Sequence, residues 1–524
     1  MEHSSNTTIA KNTLFLYFRM ALVTIVGLYT SRVILETLGV EDYGIYNVAG
    51  SVVALFGFIT GAMGQSSSRY ITVEIGKVKE DNISQLVCCF RTTRTIHAII
   101  ALLIMLLCET AGLWILYHSS IPDERLLAAF WVFQISVITA MLNVTQIPFT
   151  ALIIAHERMG IYAYISIFEV IARLLVCYML IMSPIDKLVY YAILLFVVQV
   201  IVLITYRIYC NQHFSECSMA YGFDRSFFRP IMSFSFWNLF GTLSYHALTQ
   251  GTTILVSFFF GPATVAGRAI ANQVKTQVVY FVTNFRMAIN PQILKRNAAG
   301  EIESYKQLLL WSANITFYMM LIFVLPLVFT SDFVLSVWLR EIPPYTTAFL
   351  QIALVEMLFY VYDVTFYQIF QAEGRLKENA IICPLMDFVG LVIVYVIYLM
   401  GGSVLAIAWM MLILTLAQGM IVKPWLAVKM FGFKWVEFFN VFLNNLKVSI
   451  VSSVLPIVVY ISFNPSVTKS VLLILLSVLM VVLSSYYVGM TISERQKLKG
   501  LVMTKIQNRK IINRNENRNI NSSL

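Results

Sequence analysis

Apolar stretches of about twenty residues recur along nearly the whole chain, and fourteen can be drawn. They run roughly 12–37, 44–69, 95–117, 127–155, 160–182, 188–206, 230–259, 264–290, 308–329, 346–371, 379–400, 403–422, 440–463 and 467–489. Twenty apolar residues in a helix cover about 30 Å of hydrocarbon, so most of these stretches predict membrane-spanning helices and the longer ones tilt or protrude. The two-residue alternation of a membrane β-barrel is absent. Segments 331–345 and 424–437 are too short and polar to count as spans. The pattern predicts an all-α polytopic membrane protein with about fourteen transmembrane helices.

Composition agrees: 59% of residues are hydrophobic, 12% are charged and the mean hydropathy is +0.77. A soluble domain carries about twice that share of charge. The basic residues outside the spans set the orientation. With the N-terminus in the cytoplasm, inner loops hold Lys11, Lys77, Lys79, Arg91, Arg94, Arg158, Arg207, Arg225 and Arg229. Further along they hold Lys295, Arg296, Lys306, Arg375, Lys377, Lys423, Lys429 and Lys434, and the tail adds eight more from Arg495 to Arg518. Outer loops hold only Arg125, Lys187, Arg340 and Lys469. This asymmetry places both termini inside. The net charge of +10 is thus topology and predicts no nucleic-acid partner.

The polar start, residues 1–13, and the long apolar run after it do not read as a cleavable signal. Seven cysteines (Cys88, Cys89, Cys108, Cys177, Cys210, Cys217 and Cys383) show no metal spacing, and no disulfide or metal cofactor is expected of them. The tail, residues 491–524, is basic and Asn-rich, as expected of a frayed end near anionic headgroups.

Among the basic residues inside the spans are Arg19, Arg32, Arg69, Arg173, Arg268, Lys275 and Arg286. Each costs roughly 2.5–3.5 kcal/mol at mid-bilayer on the lenient insertion scale, so they need water, counterions or an anionic passenger. Arg268, Lys275 and Arg286 are seven and eleven residues apart, which puts them within about 20° of one another on one helix face. This stripe has no acid within its own span. Arg32 with Glu36, and Glu169 with Arg173, stand four apart and can simply pair. Arg19 and Arg32 do not share a face of a straight helix, and Arg69 suits the inner end of its span.

The seventh span carries a polar stripe, Asn238, Thr242, Tyr245 (beside His246), Thr249 and Thr253, which reads as a cavity wall or as interhelical hydrogen bonding. The second carries a small-residue face, Gly50, Ala54, Gly57, Gly61 and Gly64, which predicts close helix packing. Glu356 and Asp363 share a face of the tenth span, and Asp387 sits in the eleventh. Counterions to the basic stripe, a proton or sodium site and acceptors for sugar hydroxyls all fit these acids.

The chain repeats itself. Leu38-Gly39-Val40-Glu41-Asp42-Tyr43-Gly44 before the second span matches Phe260-Gly261-Pro262-Ala263-Thr264-Val265-Ala266 before the eighth, 222 positions on. Ala155-His156-Glu157-Arg158 matches Ala372-Glu373-Gly374-Arg375, 217 positions on. Two pseudo-symmetric six-helix lobes satisfy both, residues 1–210 and 211–438, followed by two additional helices over 439–490 and the tail.

The run Leu38-Gly39, Tyr43-Gly44, Tyr46 leading into a Gly-rich helix that ends at Arg69 resembles the opening of bacterial polysaccharide flippases of the Wzx type. Their superfamily, the multidrug/oligosaccharidyl-lipid/polysaccharide exporters, includes MATE transporters and the lipid II flippase MurJ. The resemblance implies two lobes around a cavity that opens alternately to either side. The implied cargo is an undecaprenyl-diphosphate-linked oligosaccharide for O-antigen, capsule or related polysaccharide. It also implies cavity-lining bases on the first, second and eighth helices, where Arg19, Arg69 and Arg268 stand. Other membrane proteins of polysaccharide assembly become candidate partners, and proton or sodium coupling becomes a candidate energy source, with no other cofactor.

The chemistry fits, since Arg forks and Lys charges bind phosphate oxygens. A MATE-like antiporter for cationic drugs is the first alternative, and it would want an acidic cavity where the first and eighth spans are basic. A membrane glycosyltransferase or polymerase is the second. It needs an extramembrane catalytic segment, and the longest outer loop here is short. No nucleotide, metal or nucleophile motif accompanies it, so an enzyme is not expected.

Overall fold

The computed structural model describes residues 24–77, 83–156, 158–217, 220–492 and 494–496. Helices stand at all fourteen expected positions. The first, α1, covers residues 24–38. The second span is a bent pair, α2 (Val40–Ala54) and α3 (Gly57–Lys77), meeting at 53°. There follow α4 (Ile83–Leu107), α5 (Leu113–His118), α6 (Leu126–Ala155), α7 (Met159–Ile181) and α8 (Lys187–His213). Next come α9 (Arg225–Phe260), α10 (Pro262–Ala298), α11 (Ile302–Trp338), α12 (Thr346–Ala372) and α13 (Lys377–Leu399). The last four are α14 (Ala406–Leu416), α15 (Lys423–Phe431), α16 (Trp435–Ser462) and α17 (Val467–Ser484). π-Helical turns join α4 to α5 and α14 to α15, so each pair forms one long rod. Among the described residues, ten helices are long and apolar enough to cross a membrane by themselves. α9 and α10 have the length but not the apolarity, because they carry the polar and basic positions singled out above.

The chain forms two compact units. One comprises Met1–Gln277, Val334–Ala353 and Leu376–Leu414; the other comprises Val278–Phe333, Leu354–Arg375 and Thr415–Leu524. α10 therefore begins in the first and ends in the second. In the first unit, α6 packs on α3, α4 and α8, and α3 packs on α9. In the second, aromatic rings fasten α16 to α12: Phe366 meets Phe438 edge-on at 4.9 Å, and Asn445 donates to the Tyr362 hydroxyl at 2.9 Å.

The matching turns share backbone geometry. Gly39 (φ 84°, ψ 168°) and Gly261 (φ 78°, ψ 176°) adopt the same glycine-only conformation, each just before a helix. The turns also touch, since a Cβ on Gly44 would fall 1.9 Å from the Pro262 carbonyl oxygen. After α6 the amide of Arg158 bonds Ile153 O at 3.0 Å, and after α12 the amide of Arg375 bonds Phe370 O at 3.1 Å, again 217 residues on.

The connection from α8 to α9 is bound to its neighbours along its length. His156 pairs with Glu216, and Arg94 donates to Ala220 O at 3.3 Å with its guanidinium 4.7 Å from the Tyr221 ring. Thr95 donates to Gly222 O at 2.7 Å, and the Asp224 amide donates to Thr92 at 3.1 Å. Arg94, assigned to an inner loop by charge alone, is thus a buried residue of α4.

Several expectations are corrected. Glu36 pairs with Arg340, while Arg32 donates to Val337 O at 3.4 Å, so the i,i+4 pair is not made. Trp338 adds a bond to Leu28 O at 2.9 Å, which ties the end of α11 to α1 within the first unit. Arg173 does pair with Glu169, at 2.8 Å. Lys423, counted as a loop charge, is buried, because the helix runs through the π turn without a break. Lys306 is likewise buried and donates to Gly432 O at 2.8 Å. Close packing of the small-residue face holds at Gly57, where a Cβ would meet the His246 ring at 2.9 Å, but it fails at Gly50 and Gly61, where a Cβ would meet nothing within 4 Å.

Candidate functional site: charged and polar groups within the membrane

α10 supplies the basic residues. In the first unit Arg268 is only 7% exposed. Its guanidinium donates to the hydroxyls of Thr253, at 2.6 Å, and Thr252, both on α9. These hydroxyls orient the fork. One turn further on, Gln273 donates to Gly27 O of α1 at 3.1 Å. Lys275 is half-buried on the same helix. Within the second unit Arg286 donates to Val364 O of α12 at 2.5 Å and lies within electrostatic reach of Asp363.

Asp363 itself holds Lys423, at 2.5 Å, and Lys423 also donates to the Asp363 carbonyl at 2.9 Å. Its ammonium lies 5.5 Å from the Tyr367 ring centroid. Glu356, one face-turn earlier on α12, is buried and accepts from Thr415 at 3.2 Å. The second unit therefore gathers two acids and two bases. Periodicity pointed to Glu356, Asp363 and Arg286, and missed Lys423. The signal that would have found it is the unbroken helical phase from Ala406 to Phe431.

Asp387 is half-buried on α13, in the first unit. Arg69 is exposed on α3. Arg19 lies outside the described residues, as do the side chains of Asn238, Thr242 and Tyr245, although α9 is helical through all three. Thr249 is half-buried and accepts from Thr252 and Thr253 through its carbonyl, at 2.9 and 3.2 Å. The seventh-span stripe thus leads, at its described end, to the two threonines that hold Arg268.

A membrane-spanning all-helical fold with buried bases on its most polar helices is the architecture of a multi-pass transporter. Residues 9–293 match the family described as polysaccharide biosynthesis protein, and the chain belongs to that family. Residues 238–396 also match the MatE family. No curated protein matches the chain. Among solved structures it is similar to the lipid II flippase MurJ in an inward closed conformation, at TM-score 0.69 and 13% identity over 91% of this chain and 98% of that one. It is similar to an inward-facing multidrug resistance MATE family transporter of the MOP superfamily, at TM-score 0.66 and 12% identity over 80% of this chain and 98% of that one. A third likeness is to a MOP superfamily transporter from Pyrococcus furiosus, at TM-score 0.56 and 12% identity over 80% of this chain and 95% of that one. At such identities the likeness is one of fold.

Proposed function

We propose that this protein moves an undecaprenyl-diphosphate-linked oligosaccharide across the cytoplasmic membrane, by alternating access around a basic interior, for polysaccharide assembly. The observation that carries the reading is Arg268, a guanidinium buried in the first unit and oriented by threonine hydroxyls. Such a group suits a diphosphate, which must cross about 30 Å of low dielectric with its charge met at every stage. Lys275, Arg286, Arg69 and Arg19 would extend the path, and Asn238, Thr242, Tyr245 and Thr249 would offer polar contacts. The shared turn geometry supports two repeats, residues 1–210 and 211–438, with 439–490 and the tail appended, and both termini cytoplasmic. Glu356, Asp363 and Asp387 are the candidates for proton or sodium coupling or for counterion roles, and other polysaccharide-assembly membrane proteins are candidate partners.

A second reading, a MATE-like ion-coupled antiporter, is supported by the MatE match over residues 238–396. Proteoliposomes separate the two. The flippase reading expects translocation of lipid-linked oligosaccharide, reduced about tenfold or more in Arg268→Ala and less in Arg268→Lys, because a point charge replaces the fork. Wild-type liposomes that accumulate organic cations and move no lipid-linked sugar would overturn it.

A further inference from the structure

The first unit contains a slot, edged on one side by hydroxyl and amide groups, that the basic helix does not line. Two contiguous cavities of about 320 and 460 Å³ share Thr60 and Asn143. One wall is α6, through Ser136, Thr139, Asn143, Ile147 and Thr150 at three- and four-residue steps. From Ser136 to Thr150 that wall runs about 21 Å along the helix axis. The facing wall is the small-residue stripe, Gly50, Gly57, Gly61 and Gly64. Gly57 packs on His246 and Gly64 on Ile147, while a Cβ on Gly50 or Gly61 would meet none of the described residues within 4 Å, and there the space is open.

Most of the lining is apolar carbon, and its polar part is hydrogen-bonding and almost neutral. Ser136, Thr139, Thr150 and Thr60 each donate to a carbonyl of their own helix, at 2.7 to 3.2 Å, which leaves their oxygens as acceptors. The Asn143 amide, at the junction of the two cavities, makes no hydrogen bond to any described residue. Gln199 gives one N–H to Gln146 at 2.9 Å and keeps another. The one cation on the wall, Arg173, is already met by Glu169. An anion would find its charge unanswered here, and a lipid tail would leave the amides unpaired. A chain of sugar hydroxyls satisfies donors and acceptors together.

The geometry points to a saccharide-binding slot between α3 and α6, which takes the neutral glycan of the cargo while the bases of α10 take its diphosphate. The inference rests on the flippase reading and adds to it a second place of recognition, one that scales with glycan length. Its volume lies in the ordinary range for ligand pockets.

The test compares two lipids in proteoliposomes: undecaprenyl diphosphate carrying one N-acetylglucosamine, and the same lipid extended to five sugars. Asn143→Leu is expected to slow the five-sugar lipid about five- to tenfold, the effect of one lost pair of hydrogen bonds, and to leave the one-sugar lipid within about twofold. Thr139→Val, which keeps the shape and removes an acceptor, should show a smaller effect with the same preference and guards against misfolding. Equal slowing of both lipids by properly inserted variants, or no slowing of either, overturns the slot. A change confined to undecaprenyl phosphate without sugar also overturns it, since the slot would then hold tail. Failure of the wild type to move either sugar-bearing lipid overturns the flippase reading itself, and so the two failures are distinguishable.

Discussion

The Lys423–Asp363 contact carries opposite consequences for one substitution and for two. A buried pair gains little over a well-packed apolar one, but removing one partner strands the other charge. Lys423 is 4% exposed and also satisfies the Asp363 carbonyl, so both losses would fall on α12. Lys423→Met is expected to lower unfolding free energy by about 3–5 kcal/mol. The double variant Lys423→Met/Asp363→Asn should recover most of it. Denaturation of the purified protein in detergent measures both, and a double variant no more stable than the single one would show that the pair is not what holds α15 to α12. Arg286 differs, because its described bond goes to a backbone carbonyl that tolerates its loss. Arg286→Ala should therefore cost little stability, and any loss of transport would report on its charge.

At the level of elements, the paired turns and the helix caps decide most. Gly39 and Gly261 occupy a region of backbone space that side chains avoid at a cost of about 1–3 kcal/mol. Gly39→Ala and Gly261→Ala should accordingly reduce thermal stability by similar amounts. A large effect at one and none at the other would deny that the two turns are equivalent. Asp186 caps α8 by accepting from the amides of Leu188 and Val189, at 3.0 and 3.3 Å, and takes Arg125 at 2.5 Å. Partial burial pushes its carboxyl up, but the Arg125 bond and the two amides outweigh that and hold it below its ordinary value of 3.8. A carboxylate lowered in the folded state stabilises above its unfolded value and stops doing so as pH falls through the folded one. The stability gap between wild type and Asp186→Ala, roughly 1 kcal/mol for a cap, should be full at pH 7 and close below 3.8. Arg125 adds little to that gap because the contact is half open to water.

Helices and turn pairs were legible in the sequence because they are local. Apolar length marks the spans, and Gly39-Val40 and Gly261-Pro262 mark the starts. The partners were not legible. Glu36 stood four residues from a suitable arginine and pairs instead with Arg340, three hundred positions away, because the end of α11 lies against α1. Lys423 read as a loop residue because the apolar stretch ends at 422, while the helix runs on to Phe431. The stripe of glycines read as close packing because small residues usually mean that; the packing holds at Gly57 and Gly64, and room is left at Gly50 and Gly61. For the basic residues, sequence placed Arg268 and Arg286 in the membrane but not the threonines and the carbonyl that hold them.

For the molecule as a whole, the charge asymmetry makes a prediction that needs no substrate. With the seven native cysteines replaced, a single cysteine at Arg340 or Lys469 should react with a membrane-impermeant maleimide on intact cells. One at Lys377 or Lys429 should react only after the membrane is opened. The reverse pattern would invert the orientation and, with it, the direction in which cargo is proposed to travel.

The connection between α8 and α9 is bonded to α4 and α6 at four points, and this determines how the chain would tolerate being supplied in two pieces. A break between His213 and Phe214 would leave an arm on the later fragment, already shaped to dock on the earlier one through Arg94, Thr95, Thr92 and His156. A break just after Asp224 would leave that arm on the earlier fragment, bound to its own helices and useless for recapture. Two genes meeting at the first position would encode halves with these four added contacts to recapture each other, while two meeting at the second would rely on the packing of α9 against α2 and α3.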